Sequence, residues 1–200
     1  MEFQELLKNR RSIRNHQEKD VPVGVVTDII RESCLATSSS NGQPWQFVII
    51  NQKETIKRLS DESKKNLLSD ITKNPNYPAE KYEDILRNEE FNVFFNAPCL
   101  VHVIGPPDYR LLDVDCSLFA CYLMLAAAER GLGTCWIGLG TNVRNPELMR
   151  EIGIPEDCRI VAPIIVGYPE SIPESSDRNC TPDTESRLLM RSLAAGSMNR

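Results

Sequence analysis

No apolar run in this 200-residue chain approaches the roughly 20 residues of a membrane-spanning helix, so no membrane role is expected. The opening Met1-Glu2-Phe3-Gln4-Glu5 does not resemble a signal peptide. Positive charge is also short: at a net −5 the surface as a whole would repel nucleic acid and anionic lipid. No interleaved aromatic platform of the kind that stacks single strands is present, so no nucleic-acid partner is expected. The seven cysteines contain no Cys-x-x-Cys pair, which removes the ligand spacing of a zinc ribbon or an iron–sulfur cluster, and no metal site is expected. They are scattered, odd in number and mostly in apolar surroundings, where a thiol serves as a small core residue. A cytoplasmic setting follows. There is no Gly-x-x-x-x-Gly-Lys-Ser/Thr phosphate loop. The glycines at 131, 133, 138 and 140 follow a helix rather than a strand, and Trp136 stands where a dinucleotide fingerprint needs glycine.

What is present begins with Lys8-Asn9-Arg10-Arg11-Ser12-Ile13-Arg14, four cations and a hydroxyl in one short stretch. Guanidinium groups match phosphate oxygens two at a time, so such a cluster in an acidic protein suits a compact anion, although most charge runs are solvated faces. The second notable stretch, Ser38-Ser39-Ser40-Asn41-Gly42-Gln43-Pro44-Trp45, reads as a turn. Its hydroxyl and amide groups also suit the polar edge of a planar ligand.

Periodicity places the elements. Phe3, Leu6 and Leu7 predict a short amphipathic helix. Val26, Ile29, Ile30, Ser33 and Cys34 predict a helix that opens at Asp20-Val21-Pro22. Phe47-Val48-Ile49-Ile50 reads as a strand. Asn51 with Glu54 predicts a capping box on a helix whose buried side is Ile56, Leu59, Ser63 and Leu67. Residues 69–92 are polar, carry Pro75 and Pro78, and predict a mobile lid or substrate-facing insert with a short helix over 79–88.

A buried strand is expected over 98–104, and His102 within it reads as a core residue rather than a catalyst. Residues 113–130 are apolar nearly all round, which predicts a helix covered on nearly all sides, at a subunit interface. A short helix over 146–151 stopped by Gly153, a last core strand over 159–167 and a closing helix at Leu188, Leu189 and Leu193 complete the chain. No repeat or linker divides it.

Six landmarks in register resemble the FMN-dependent nitroreductase family. They are Arg10-Arg11-Ser12-Ile13-Arg14; the serine stretch through Trp45; Ala97-Pro98 before a strand; the long helix running into Gly131-Leu132-Gly133-Thr134-Cys135-Trp136-Ile137-Gly138; Ile154-Pro155-Glu156-Asp157; and Val166-Gly167-Tyr168-Pro169. The resemblance implies a single nitroreductase-like domain over 1–200, with the possible lid at 69–92 and a carboxyl-terminal extension at 170–200. The implied fold is α+β, a mixed sheet flanked by helices, forming a homodimer with FMN at the interface. Arg10, Arg11, Ser12 and Arg14 would grip the FMN phosphate and ribityl chain. Ser38, Ser39 and Asn41 would reach the flavin from the other subunit, and Ile137, Gly138 and Leu139 would lie beside its ring. Arg178 would close over the phosphate. A cation near the flavin pyrimidine is expected from Lys64 or Lys65.

The chain departs from the family pattern at Thr37, where proline is frequent, and at His16, where an aromatic is frequent. The implied activity is ping-pong transfer of hydride from NADH or NADPH through flavin N5 to a small-molecule electron acceptor such as a nitroaromatic or quinone. The cofactor carries that chemistry, so no catalytic side chain is assigned. Relatives with dehalogenation, dehydrogenation or flavin-breakdown chemistry, or an FMN-binding store or sensor, are the alternatives.

Overall fold

The computed structural model describes residues 2–74 and 76–174. The expectations for Arg178 and for the helix at Leu188, Leu189 and Leu193 lie outside the described residues. Within them, four strands form one sheet: β1 (Gln46–Ile50), β2 (Cys99–Gly105), β3 (Gly133–Trp136) and β4 (Arg159–Gly167), in the order β1-β2-β4-β3. All neighbouring strands are antiparallel. A single parallel bridge, Ser12 to Thr134, adds the amino-terminal segment at the β3 edge and makes the sheet mixed.

Every residue of β2, and all but the first of β4, is buried, because helices cover both faces. That is why these strands read as unbroken apolar runs rather than as alternation. Cys99, Val101 and Val103 face one way, toward α2 (Val23–Ser33) and α5 (Leu112–Glu129). Leu100 and Ile104 face the other way, toward α3 (Lys53–Lys73) and α6 (Pro146–Glu151). Each fully buried Leu or Ile in these layers contributes about 1.5–3 kcal/mol. The α+β architecture with helices on both sides agrees with the sequence reading.

The helix predictions hold in outline and differ in detail. In α1 (Phe3–Asn9) only Leu6 is buried, while Phe3 and Leu7 face outward. The expected capping box at Asn51 and Glu54 does not form: α3 starts one residue later, its N-cap is Gln52, and no side chain caps the first amides. Thr55 instead donates its hydroxyl to Gln52 Oε1 at 3.1 Å. Ile56, Leu59, Ser63 and Leu67 are buried as predicted. The same helix runs on to Lys73, so residues 69–73 of the polar stretch are helical, and Arg144 pairs with Asp70 near its end. After the turn a 3₁₀ segment (Glu80–Tyr82) and α4 (Glu83–Arg87) follow. At α6, Asn145 accepts from the amides of Glu147 and Leu148, and Pro146 occupies the first turn, where its missing N–H costs nothing.

Among the described residues, helix α5 is covered on one side only. Leu112, Cys116, Phe119, Ala120, Leu123 and Ala127 are buried in the chain's own core. Val114, Leu118 and Tyr122 are 54%, 38% and 40% exposed and share a face with exposed Cys121. No helix of the described residues is long and apolar enough to cross a membrane.

Candidate functional site

The basic segment is held as an extra edge strand. Ile13 donates its amide to the Thr134 carbonyl at 2.9 Å and packs so tightly on Gly133 that a Cβ there would lie 2.7 Å from Ile13 Cβ. Since successive residues of an extended chain face opposite ways, burying Ile13 turns Ser12 and Arg14 outward. Arg11 shares the Ile13 side and folds back, donating Nη1 to the Lys8 carbonyl and, at 2.8 Å, to that of Arg10. It thereby caps the last turn of α1. Arg10 and Arg11 border a small cavity of about 140 Å³ with Thr134, whose hydroxyl has no partner among the described residues.

Arg14 opens instead into a larger cleft of about 600 Å³. There it meets Trp136, Ile137, Gly138 and Leu139, which leave the end of β3, and Phe95, whose ring centroid is 5.7 Å from the guanidinium carbon. Gly138 begins a 3₁₀ turn (Gly138–Thr141). The first amides of such a turn have no partner inside it and are available as donors. A Cβ built on Gly138 meets nothing within 4 Å, so the backbone is open at that residue. Phe95 and Asn96 hold φ of +53° and +52°, a strained conformation for a bulky side chain, beside the fully buried Phe94. The third wall comes from Tyr77, Pro78, Ala79, Lys81 and Tyr82 of the polar stretch.

The serine loop sits elsewhere. Ser39–Asn41 forms a 3₁₀ turn with left-handed φ at Ser40 (51°) and Asn41 (55°). Both carboxylate oxygens of Asp115, itself 1% exposed in the first turn of α5, accept the Ser39 amide at 3.1 and 3.2 Å. The Tyr109 hydroxyl donates to the Ser39 carbonyl at 3.3 Å and lies where a Cβ on Gly42 would fall, 2.3 Å away. Ser38 Oγ accepts the Gln43 amide, and Asn41 Oδ1 accepts Gln43 Nε2. One chain therefore brings together Arg14, Ile137, Gly138 and Leu139, and leaves Ser38, Ser39 and Asn41 off the cleft.

The expectation that Lys64 or Lys65 supplies a cation to the ligand is corrected. Lys64 is 8% exposed and spends its ammonium on the carbonyls of Asn88, Glu89 and Phe91, because a buried charge needs several partners. Lys65 lies outside, 3.7 Å from Glu62. Neither borders the cleft. The residues that sequence reasoning missed are Lys81 and the aromatic set Tyr77, Tyr82, Phe95 and Trp136. The only hint in the sequence was the concentration of tyrosine and phenylalanine in and after a polar stretch.

Burial drives two core thiols and one histidine toward neutrality. Desolvation pushes the Cys99 thiol up to about 12, and the Cys116 thiol also to about 12 with help from Asp113, so both stay protonated core residues. His102 is completely buried in β2, is lowered to about 3 by desolvation, and finds no partner for either ring nitrogen among the described residues. It is a core residue, but not a hydrogen-bonded one. Among the described residues no cluster of histidine, cysteine or acid could hold a metal.

Residues 7–168 match the nitroreductase family. A nitrobenzene nitroreductase of Ectopseudomonas oleovorans is 29% identical, over 86% of this chain and 88% of its own. The iodotyrosine deiodinase 1 of Rattus norvegicus is also 29% identical, over 84% of this chain and 62% of its own. Among solved structures, a nitroreductase with bound FMN from Bacteroides fragilis superposes with a TM-score of 0.77 at 23% identity, covering 90% of this chain and 97% of that one.

Proposed function

The chain belongs to the nitroreductase family, and on that premise we propose that it is an FMN-dependent oxidoreductase working as a cytoplasmic homodimer. When bound, the flavin supplies ping-pong redox chemistry, accepting hydride at N5 from NADH or NADPH and passing it to an electrophile such as a nitroaromatic or quinone. The observation that carries this reading is the cleft that Arg14 and residues 137–139 border together, with the backbone open at Gly138. A planar ring can lie on a backbone that presents no side chain at Gly138.

In this reading the chain's own residues bind and orient. Arg14, with Ser12 turned the same way and Arg10 close by, holds the ribityl chain and phosphate. Arg11 supports them by fixing the turn out of α1. The orphan amides at the start of the 3₁₀ turn point donors at the ring where negative charge develops on reduction. Ser38, Ser39 and Asn41 are supplied by a second copy, and the uncovered α5 face is the surface on which the two copies meet. Arg178 completes the phosphate site, and 170–200 form an extension of one domain. Residues 69–92, continuous with α3 up to Lys73 and pinned by Lys64 at 88–91, serve as a fixed cover on the acceptor side rather than a mobile lid. No side-chain acid or nucleophile is assigned.

A visible spectrum of the purified protein tests the proposal, followed by anaerobic titration with NADH and with NADPH. Flavin absorbance that bleaches with at least one nicotinamide is expected. Colourless protein that takes up no added FMN refutes it, and flavin that neither nicotinamide reduces points to a store or sensor. Similarity to a deiodinase favours a second reading, reductive dehalogenation of an aromatic, which halide release from an iodophenol by the pre-reduced protein would reveal.

A further inference from the structure

Four aromatic side chains border the cleft, from three separate parts of the chain: Tyr77 and Tyr82, Phe95, and Trp136. Tyr82 is 40% exposed. The charged groups at the same border are Arg14 and Lys81, and no carboxylate is among the lining residues. In a chain with a net −5 that is a local reversal of sign.

Arg14 is taken by the flavin in the proposed function, on which this inference rests. Lys81 has no anionic partner among the described residues and rests over one face of the Tyr82 ring, its ammonium 5.0 Å from the centroid, which leaves the other face for a ligand. Of the neighbouring acids Glu80, Glu83 and Asp84, Glu83 is paired with Arg87, and none of the three borders the cleft. The tyrosine and the lysine also sit on a fixed base, since Ala79 and Leu86 are buried in the core beneath them and Lys64 pins residues 88–91. A ring stacked on Tyr82 would have its centroid about 4.5–7 Å away. An acidic substituent on such a ring would fall within reach of the ammonium.

We infer that the acceptor is an aromatic carrying an anionic substituent such as a carboxylate, its ring stacked on Tyr82 and its anion paired with Lys81. Tyr82 supplies sequence-tolerant stacking, and Lys81 distinguishes charged from neutral rings. The class is narrower than nitroaromatics or quinones at large.

The test uses the full-length, FMN-loaded, oxidised protein with no reductant, so that binding alone is read. 4-Nitrobenzoate and its neutral isostere 4-nitrobenzamide are titrated separately while the flavin visible spectrum is followed. The wild type should bind the carboxylate about fivefold more tightly at low salt, the upper range for a solvent-accessible ion pair, and lose the preference in high salt. Lys81→Gln should abolish the preference with the amide's affinity unchanged, and Lys81→Glu should reverse it. Tyr82→Leu should weaken both ligands.

Equal affinities in the wild type, a preference retained in Lys81→Gln, or no spectral change with either compound overturns the inference while leaving the flavoenzyme reading intact. Protein that takes up no FMN overturns both. Lys81 is exposed and outside the core, so its variants should fold, and flavin content reports that directly.

Discussion

The Lys64 ammonium lies 2.7 Å from the carbonyl oxygen of Asn88, so a buried lysine of α3 fixes the far end of the segment that walls the cleft. The same ammonium reaches the Phe91 carbonyl at 2.9 Å, and Ser60, one turn earlier, accepts the amide of Val93 at 2.9 Å.

Replacing that lysine should loosen the wall. Lys64→Met keeps the aliphatic stem and removes the donor from three part-buried carbonyls, which costs about 2 kcal/mol. For a chain of this size the thermal midpoint should fall by roughly 4–8 °C. Hydrogen exchange should accelerate at 88–93 before anywhere else in the α3 layer. An unchanged midpoint with unchanged exchange would show that the clamp holds nothing.

Gly138→Ala separates folding from flavin binding. The backbone there is not left-handed and the space over it is open, so the apo protein should be as stable as wild type or about 0.4–1 kcal/mol more so. The added methyl stands where the ring is proposed to lie. FMN affinity, read by quenching of flavin fluorescence, should drop about tenfold. Wild-type affinity would move the flavin off this wall.

The outer face of α5 should control assembly. Leu118 and Tyr122 lie outside the chain's own core, so Leu118→Asp and Tyr122→Asp leave each subunit folded. Each places a charge at the core of the proposed interface, where an unpaired charge is costly. Sedimentation velocity should show monomers in place of dimers, and FMN affinity should fall in parallel, because the serine loop then has no second copy to serve. A dimer of normal affinity would place the interface elsewhere.

His102 sets an acid limit on stability. Its folded-state value of about 3 lies below the ordinary 6.5, so the unfolded chain binds the proton first. Stability is fully present above pH 6.5 and declines as the pH falls toward 3. The loss attributable to this one group is about 2 kcal/mol between pH 7 and pH 5. His102→Leu should remove that share of the slope in denaturant melts taken across the range. At pH 7 it should be neutral or stabilising, since it deletes two unpartnered nitrogens. Parallel pH slopes in wild type and variant would contradict the assignment.

The strands were legible wherever burial on both sides left an apolar run, as in β2 and β4, and the helices wherever one stripe faced the sheet, as in α2. The cleft was half legible. Arg14, Trp136 and residues 137–139 lay in recognisable motifs, whereas Lys81, Tyr77, Tyr82 and Phe95 come from stretches with no periodicity. Lys64 was misread because nothing local shows that the carbonyls of Asn88 and Phe91 return to it.

By itself the chain of residues determined three of the four strands of the described residues as apolar runs, the helices there by their apolar stripes, and the exposed side of Ser12 and Arg14 once Ile13 is buried. Only the tertiary structure decided that Arg11 turns back onto α1, that the capping box at Asn51 is unused, and that Tyr82 and Trp136 border one cleft. The physical reason is range. Periodicity and capping act within a few residues, while the cleft is made by contacts between segments tens of residues apart, and those depend on how the layers pack.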